Sequence, residues 1–174
     1  MKIKVLLITF LVFGLSLAHF SQTNGCGSPT VLPVNTTCIT QAFAVNQNNS
    51  NQEIDASCAT AGTSYSDAWY TVTGTGNPMT ITITGTNRAF VLATFTSCAA
   101  GELACDIQTA GTTGSITFPT TNGTTYYIQI QRRSGNTTQN LSGDICAVSA
   151  AASGGGNDDC SGANSLTVNP DALC

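Results

Sequence analysis

The chain has 174 residues, of which only 8% are charged, and five Lys and Arg against nine Asp and Glu leave a formal net charge of −4. That balance excludes the basic footprint a nucleic-acid-binding surface needs to neutralise phosphates. The length is that of about one domain.

The N-terminus reads MKIKVLLITFLVFGLSLA: two lysines, an apolar run over Val5–Leu17, then small residues at Ser16 and Ala18. This predicts a secretory signal peptide over residues 1–18, cleaved after Ala18. The run is short for a bilayer span, so no transmembrane span is expected in the mature chain. Losing Lys2 and Lys4 moves the net charge from −4 to −6 and leaves Arg88, Arg132 and Arg133 as the remaining Lys and Arg.

Residues 24–148 then read as one β-sandwich module. VLPV and QAFAV are the weaker strand candidates, and Pro33 suits an edge position. AWYTVTG follows, and MTITITG alternates cleanly, with Met79, Ile81 and Ile83 on one side and Thr80, Thr82 and Thr84 on the other. Such alternation is a strand with one face on a core and one in water. AFVLATFTSC is apolar on both sides and predicts a strand buried on both faces. AAGELA is taken as a short loop, and GSITF, TTYYIQIQ and GDICAVSA complete the set. Gly- and Asn-bearing turn signals separate the runs, at 74–78, 85–87, 111–114, 122–123 and 134–136. No segment after residue 18 sustains a helical period. The expected fold class is all-β: a disulfide-stapled antiparallel sandwich, jelly-roll-like or Ig-like, preceded by the signal peptide.

After Val148 the alternation stops. Residues 149–156, rich in Ala, Ser and Gly, read as a flexible linker. Residues 157–174 then echo the start of the module. Cys26 is followed by a polar turn, Leu32-Pro-Val-Asn35 and Cys38; Cys160 is followed by a polar turn, Leu166-Thr-Val-Asn169 and Cys174. The echo predicts a truncated second repeat and a fragment of a longer protein. On that reading Cys160 and Cys174 pair with each other or lack their native partners.

All eight cysteines lie beyond the signal peptide, and an even count in an exported chain reads as disulfides. The module owns six: Cys26, Cys38, Cys58, Cys98, Cys105 and Cys146. Six cysteines allow 15 connectivities, among which sequence alone does not choose. Spacing makes Cys98–Cys105 an easy local bridge. Cys38–Cys58 would tether an Asn-rich stretch, and Cys26–Cys146 would then join the first strand to the last.

Chemistry is sparse. There is no Cys-x-x-Cys pair, and the one histidine, His19, sits at the cleavage point, so no metal site, cofactor or Ser-His-Asp triad is expected. Glu53, Asp55, Asp67, Glu102, Asp106 and Asp144 are scattered, without the facing pair a glycosidase needs. The expectation is a non-enzyme. Asp67 beside Trp69 reads either as a calcium or sugar ligand or as a turn residue at a strand start with Trp69 in the core. The second reading is preferred, since a lone tryptophan in a sandwich is more often core. Tyr126 and Tyr127 point to opposite faces, so one is expected to be exposed. With Gln129, Gln131 and Arg133 it makes a sugar-binding strip or a solvated face, the latter preferred; Arg132-Arg133 reads as a turn-flanking solubility pair.

The segments NDDCSGANSLTVN, DAWYTVTGTGNPMTITITG, FTSCAAGELAC, GTTYYIQIQ and GDICAV resemble cysteine-bearing β-sandwich modules repeated in large secreted and surface proteins of Bacteroidetes-type bacteria. Those modules are similar to the bacterial pre-peptidase C-terminal domain. The resemblance implies a jelly-roll-like accessory or adhesive module, often cargo of type IX secretion. Its partner would be an extracellular polysaccharide or a surface protein. Many members carry an acidic pair after the cysteine matching Cys105; here CDIQT keeps only Asp106, so the calcium site such a pair would imply is incomplete. The alternative is a structural spacer appended to a distant secreted hydrolase.

Overall fold

Alternation along the chain translates into burial. Met79, Ile81 and Ile83 are fully buried while Thr80, Thr82 and Thr84 are half-exposed. The computed structural model of the chain describes residues 25–45, 56–59, 66–98, 100–133 and 140–150. The expected signal peptide (1–18), most of the expected linker (149–156) and the segment 157–174 expected to open a second repeat, with Cys160 and Cys174, lie outside the described residues.

Ten strands follow in chain order: β1 Thr30–Val31, β2 Val34–Asn35, β3 Gln41–Val45, β4 Asp67–Thr73, β5 Met79–Thr84, β6 Phe90–Ser97, β7 Ala100–Gln108, β8 Gly114–Phe118, β9 Thr125–Arg132 and β10 Leu141–Ser149. Among the described residues there is no helix. The strands form two sheets, ordered β1-β4-β9-β6-β7 and β2-β10-β5-β8, with β3 also paired to β10. We call them sheet A and sheet B. The pairings are antiparallel except at the N-terminus, where β1 runs parallel to β4 and β2 parallel to β10. Pro33 falls in the crossing between β1 and β2 rather than within an edge strand. The chain thus contributes to sheet A, crosses, and contributes to sheet B within six residues.

The main core lies between the sheets. Sheet A supplies Ala68, Tyr70, Val72, Phe90, Leu92, Tyr126, Ile128 and Ile130; sheet B supplies Met79, Ile81, Ile83, Ile116, Phe118, Leu141, Ile145 and Ala147. Each large side chain buried there contributes about 1.5–3 kcal/mol. Phe90 to Phe95 are all buried, as the two-sided apolar run predicts. The reason is a second apolar cluster on the outer face of sheet A: Trp69, Val91, Ala93 and Phe95, with Cys26 and Ala56 over them. The Trp69 and Phe95 rings meet at 5.7 Å.

Two readings from sequence change here. From Ala100 onward the AAGELA stretch is not a loop; it opens the nine-residue edge strand β7, which pairs along all of β6 with a bulge at Thr94/Phe95. The spacing-favoured bridges also give way to others. The fold joins Cys26 to Cys98, Cys38 to Cys146 and Cys58 to Cys105. A Cys98–Cys105 bridge is excluded by register. Cys105 stands opposite Ala93, five residues before Cys98, about 17 Å along the strand. Cys38 and Cys58 serve opposite sides of the sandwich, one at the outer face of sheet B and one at that of sheet A, so no short tether forms between them. No bridge among the described residues crosses the inter-sheet core; each staples the outside of a sheet.

Candidate functional site

On the outer face of sheet A the glutamines of β9 are not in water. Gln129 and Gln131 are fully buried, and Tyr127 is half-buried against the Trp69 cluster. Tyr126 faces the main core, where its hydroxyl accepts a hydrogen bond from Thr121 N at 2.8 Å and its ring meets Phe118 edge-on. The solvated tyrosine-glutamine strip expected from sequence is therefore replaced by an interior layer. The cover is the segment 56–59, held by Cys58–Cys105 and by the Glu102 carboxylate, which accepts hydrogen bonds from Ser57 N (2.6 Å) and Ser57 Oγ.

Asp67 sits inside this layer as the first residue of β4, with Trp69 two residues on and pointing to the same face. It is 1% exposed, and its Oδ2 accepts from Trp69 Nε1 and from Gln129 Nε2, both at 2.9 Å. A carboxylate enclosed by donors organises its surroundings and has no open side for a sugar. Trp69 is buried, but in the outer cluster rather than in the inter-sheet core. Asp106 accepts from Gln108 Nε2 at 2.8 Å, and among the described residues no group of three or more His, Cys, Asp or Glu is placed to hold a metal. Glu53 and Asp55 lie outside the described residues.

The arginines converge. Arg88 precedes β6, Arg132 ends β9 opposite Phe90, and Arg133 N donates to Ala89 O at 2.9 Å. Every arginine of a net-negative chain thus stands at one end of the sandwich. Arg133 is exposed and Arg88 half-buried, whereas Arg132 is 2% exposed. Arg132 is thus no surface solubility residue: its strand position turns it toward the mouth between the sheets. Burial, and then the neighbouring Arg88 charge, lower its pKa from the usual guanidinium value.

Sequence reasoning named these residues but not their convergence, because the pairing of β6 with β9 that creates it spans more than 40 positions.

Residues 22–143 match the family model of galactose binding domain-like modules associated with type IX secretion. The chain belongs to this galactose binding domain-like family. No curated protein and no solved structure matches the chain at a significant level. Family membership accords with the all-β, two-sheet, disulfide-bearing architecture. Among the described residues no helix of this galactose binding domain-like chain is long and apolar enough to cross a membrane.

Proposed function

We propose that the chain is a secreted or cell-surface accessory module that binds a glycan or a protein at the extracellular surface and carries no catalytic centre. The carrying observation is the match of residues 22–143 to the galactose binding domain-like family associated with type IX secretion. Three disulfides support an oxidising, extracellular setting. Within that reading the arginine end is the contact surface. Exposed Arg133 and half-buried Arg88, at the same end of the sandwich, offer planar donors suited to carboxylate or sulfate groups, and apart from the buried Arg132 the chain has no other arginine or lysine after residue 18.

The test is binding of the recombinant secreted chain to arrayed acidic and neutral polysaccharides and to surface proteins. Binding that weakens in Arg88→Gln/Arg133→Gln supports the reading. Clean failure against all of these surfaces overturns it and leaves the alternative, a structural spacer attached to a distant secreted hydrolase.

A further inference from the structure

The two ends of the module are joined by a covalent short cut. Cys38 follows β2, Cys146 lies within β10, and the bond between them spans a sequence separation of 108. Tension on the chain before Cys26 and after Ser149 runs through β1 and β2 to Cys38, across the bond to Cys146, and out along the last residues of β10. Strands β3 to β9 lie outside that path.

What remains in the path is held in shear. β2 pairs parallel with β10, Val34 opposite Ala147 and Asn35 opposite Val148. One strand is pulled from its N-terminal end and the other from its C-terminal end. In a parallel pair those ends are opposite, so the pull slides the strands along each other. Their hydrogen bonds are then loaded together rather than peeled one at a time. Leu32, 1% exposed between β1 and β2, must also leave the core before the segment can straighten, and its N–H is held by Thr71 O at 2.8 Å. Behind this lies a reserve, because Cys26 is bonded to Cys98. If the Cys38–Cys146 bond is missing, the path shortens through Cys98 instead.

We propose that the module is a load-bearing link, in which the Cys38–Cys146 bond and the sheared β2–β10 pair keep tension on the flanking chain from unravelling the sandwich. This function is independent of any ligand at the arginine end.

The connectivity sets three lengths. With all bonds intact, Cys26 and Cys146 are separated by twelve residue steps, about 41 Å extended, plus a bond whose Cα atoms are 5.4 Å apart. The limit is therefore about 5 nm. Without Cys38–Cys146, the 48 steps from Cys98 to Cys146 and the Cys26–Cys98 bond allow about 17 nm. Fully reduced, 120 steps allow about 41 nm.

Single-molecule pulling on the full secreted chain, held between handle domains, reads these lengths directly. The oxidised chain is expected to lengthen on unfolding by no more than about 5 nm between these residues. Cys38→Ala/Cys146→Ala should lengthen by up to about 17 nm, while Cys58→Ala/Cys105→Ala keeps the short step. Should the first variant fail to fold, dithiothreitol added to a wild-type chain already under load should release the longer steps in turn. A step above about 10 nm in the oxidised chain overturns the proposal. So does a long step in Cys58→Ala/Cys105→Ala, or a reduced chain that lengthens no more than the oxidised one.

Discussion

Asp67 and Trp69, two residues apart on β4, are locked to each other by a 2.9 Å hydrogen bond from the indole N–H to Oδ2. Gln129 on the neighbouring strand donates to the same oxygen at the same distance. One buried carboxylate thereby fixes the orientation of the only tryptophan and of a fully buried glutamine. Asp67→Ala would leave two buried N–H donors without that acceptor. Hydrogen bonds to a charged group contribute about 1.5–3 kcal/mol each, so for two of them a loss of about 3–6 kcal/mol is expected. Asp67→Asn keeps a carbonyl oxygen able to accept both and should lose less. Urea denaturation followed by Trp69 fluorescence measures both; equal stability of Asp67→Ala and the wild type would remove the carboxylate from this role.

The same layer depends on its cover. Cys58–Cys105 closes 47 positions of chain and presses Ala56 onto the Trp69 cluster. Loop-closure entropy for a loop of that size is worth about 4 kcal/mol in the chain-entropy model, at the upper end of the usual range. Cys58→Ala/Cys105→Ala should therefore lower stability by about 2–4 kcal/mol. It should also expose Trp69, seen as red-shifted emission and faster acrylamide quenching. Unchanged quenching would show that the segment stays in place without the bond. Peptide mapping under non-reducing conditions should return Cys26–Cys98, Cys38–Cys146 and Cys58–Cys105 as the bridges.

Legibility followed the physics of each position. β5 could be read because half its residues face a core and half face water, and the sheet converts that difference into a period of two. The two-sided burial of Phe90–Phe95 could be read because both parities are apolar. β7 could not, since Ala100, Gly101, Glu102 and Ala104 alternate in nothing; its strand state comes from pairing with β6. Gln129, Gln131 and Arg132 were misread as solvated for one reason. Polarity reports the wish for a partner or for water and does not say which: Gln129 finds its partner in Asp67, 62 positions away, and all three residues are buried. Bridge partners are a property of register and sheet face, which spacing along the chain does not carry.

Gly143 shows how a turn-like residue can be a packing requirement. It lies inside β10, paired with Phe43 on one side, and β5 runs along the other. A Cβ there would stand 2.8 Å from Thr84 O and 3.0 Å from the Phe43 ring. The first neighbour is backbone and cannot rotate away. Gly143→Ala should therefore destabilise by about 1–3 kcal/mol, the usual range for overpacking. Phe43→Leu alongside it should recover only part of the loss, because Thr84 O remains. Chemical denaturation of the single and double variants measures the coupling; full recovery would place the whole strain on the ring.

Thr94 offers the opposite case, a residue whose replacement should help. It sits in the middle of β6 opposite Ile128, 0% exposed, and its Oγ1 has no hydrogen-bond partner. Burying a hydroxyl without a partner costs about 1–3 kcal/mol. Valine has nearly the same shape and the same β-branch, which suits a strand. It replaces the stranded oxygen with a methyl group that the surrounding core can contact. Thr94→Val is expected to raise unfolding stability by about 1 kcal/mol, with an unchanged denaturant slope because the surface exposed on unfolding is the same. Thr94→Ser keeps the oxygen, removes the methyl group and should be less stable than wild type. A Thr94→Val variant weaker than wild type would show that the hydroxyl is satisfied in solution, by a water that reaches β6 through the bulge at Thr94/Phe95.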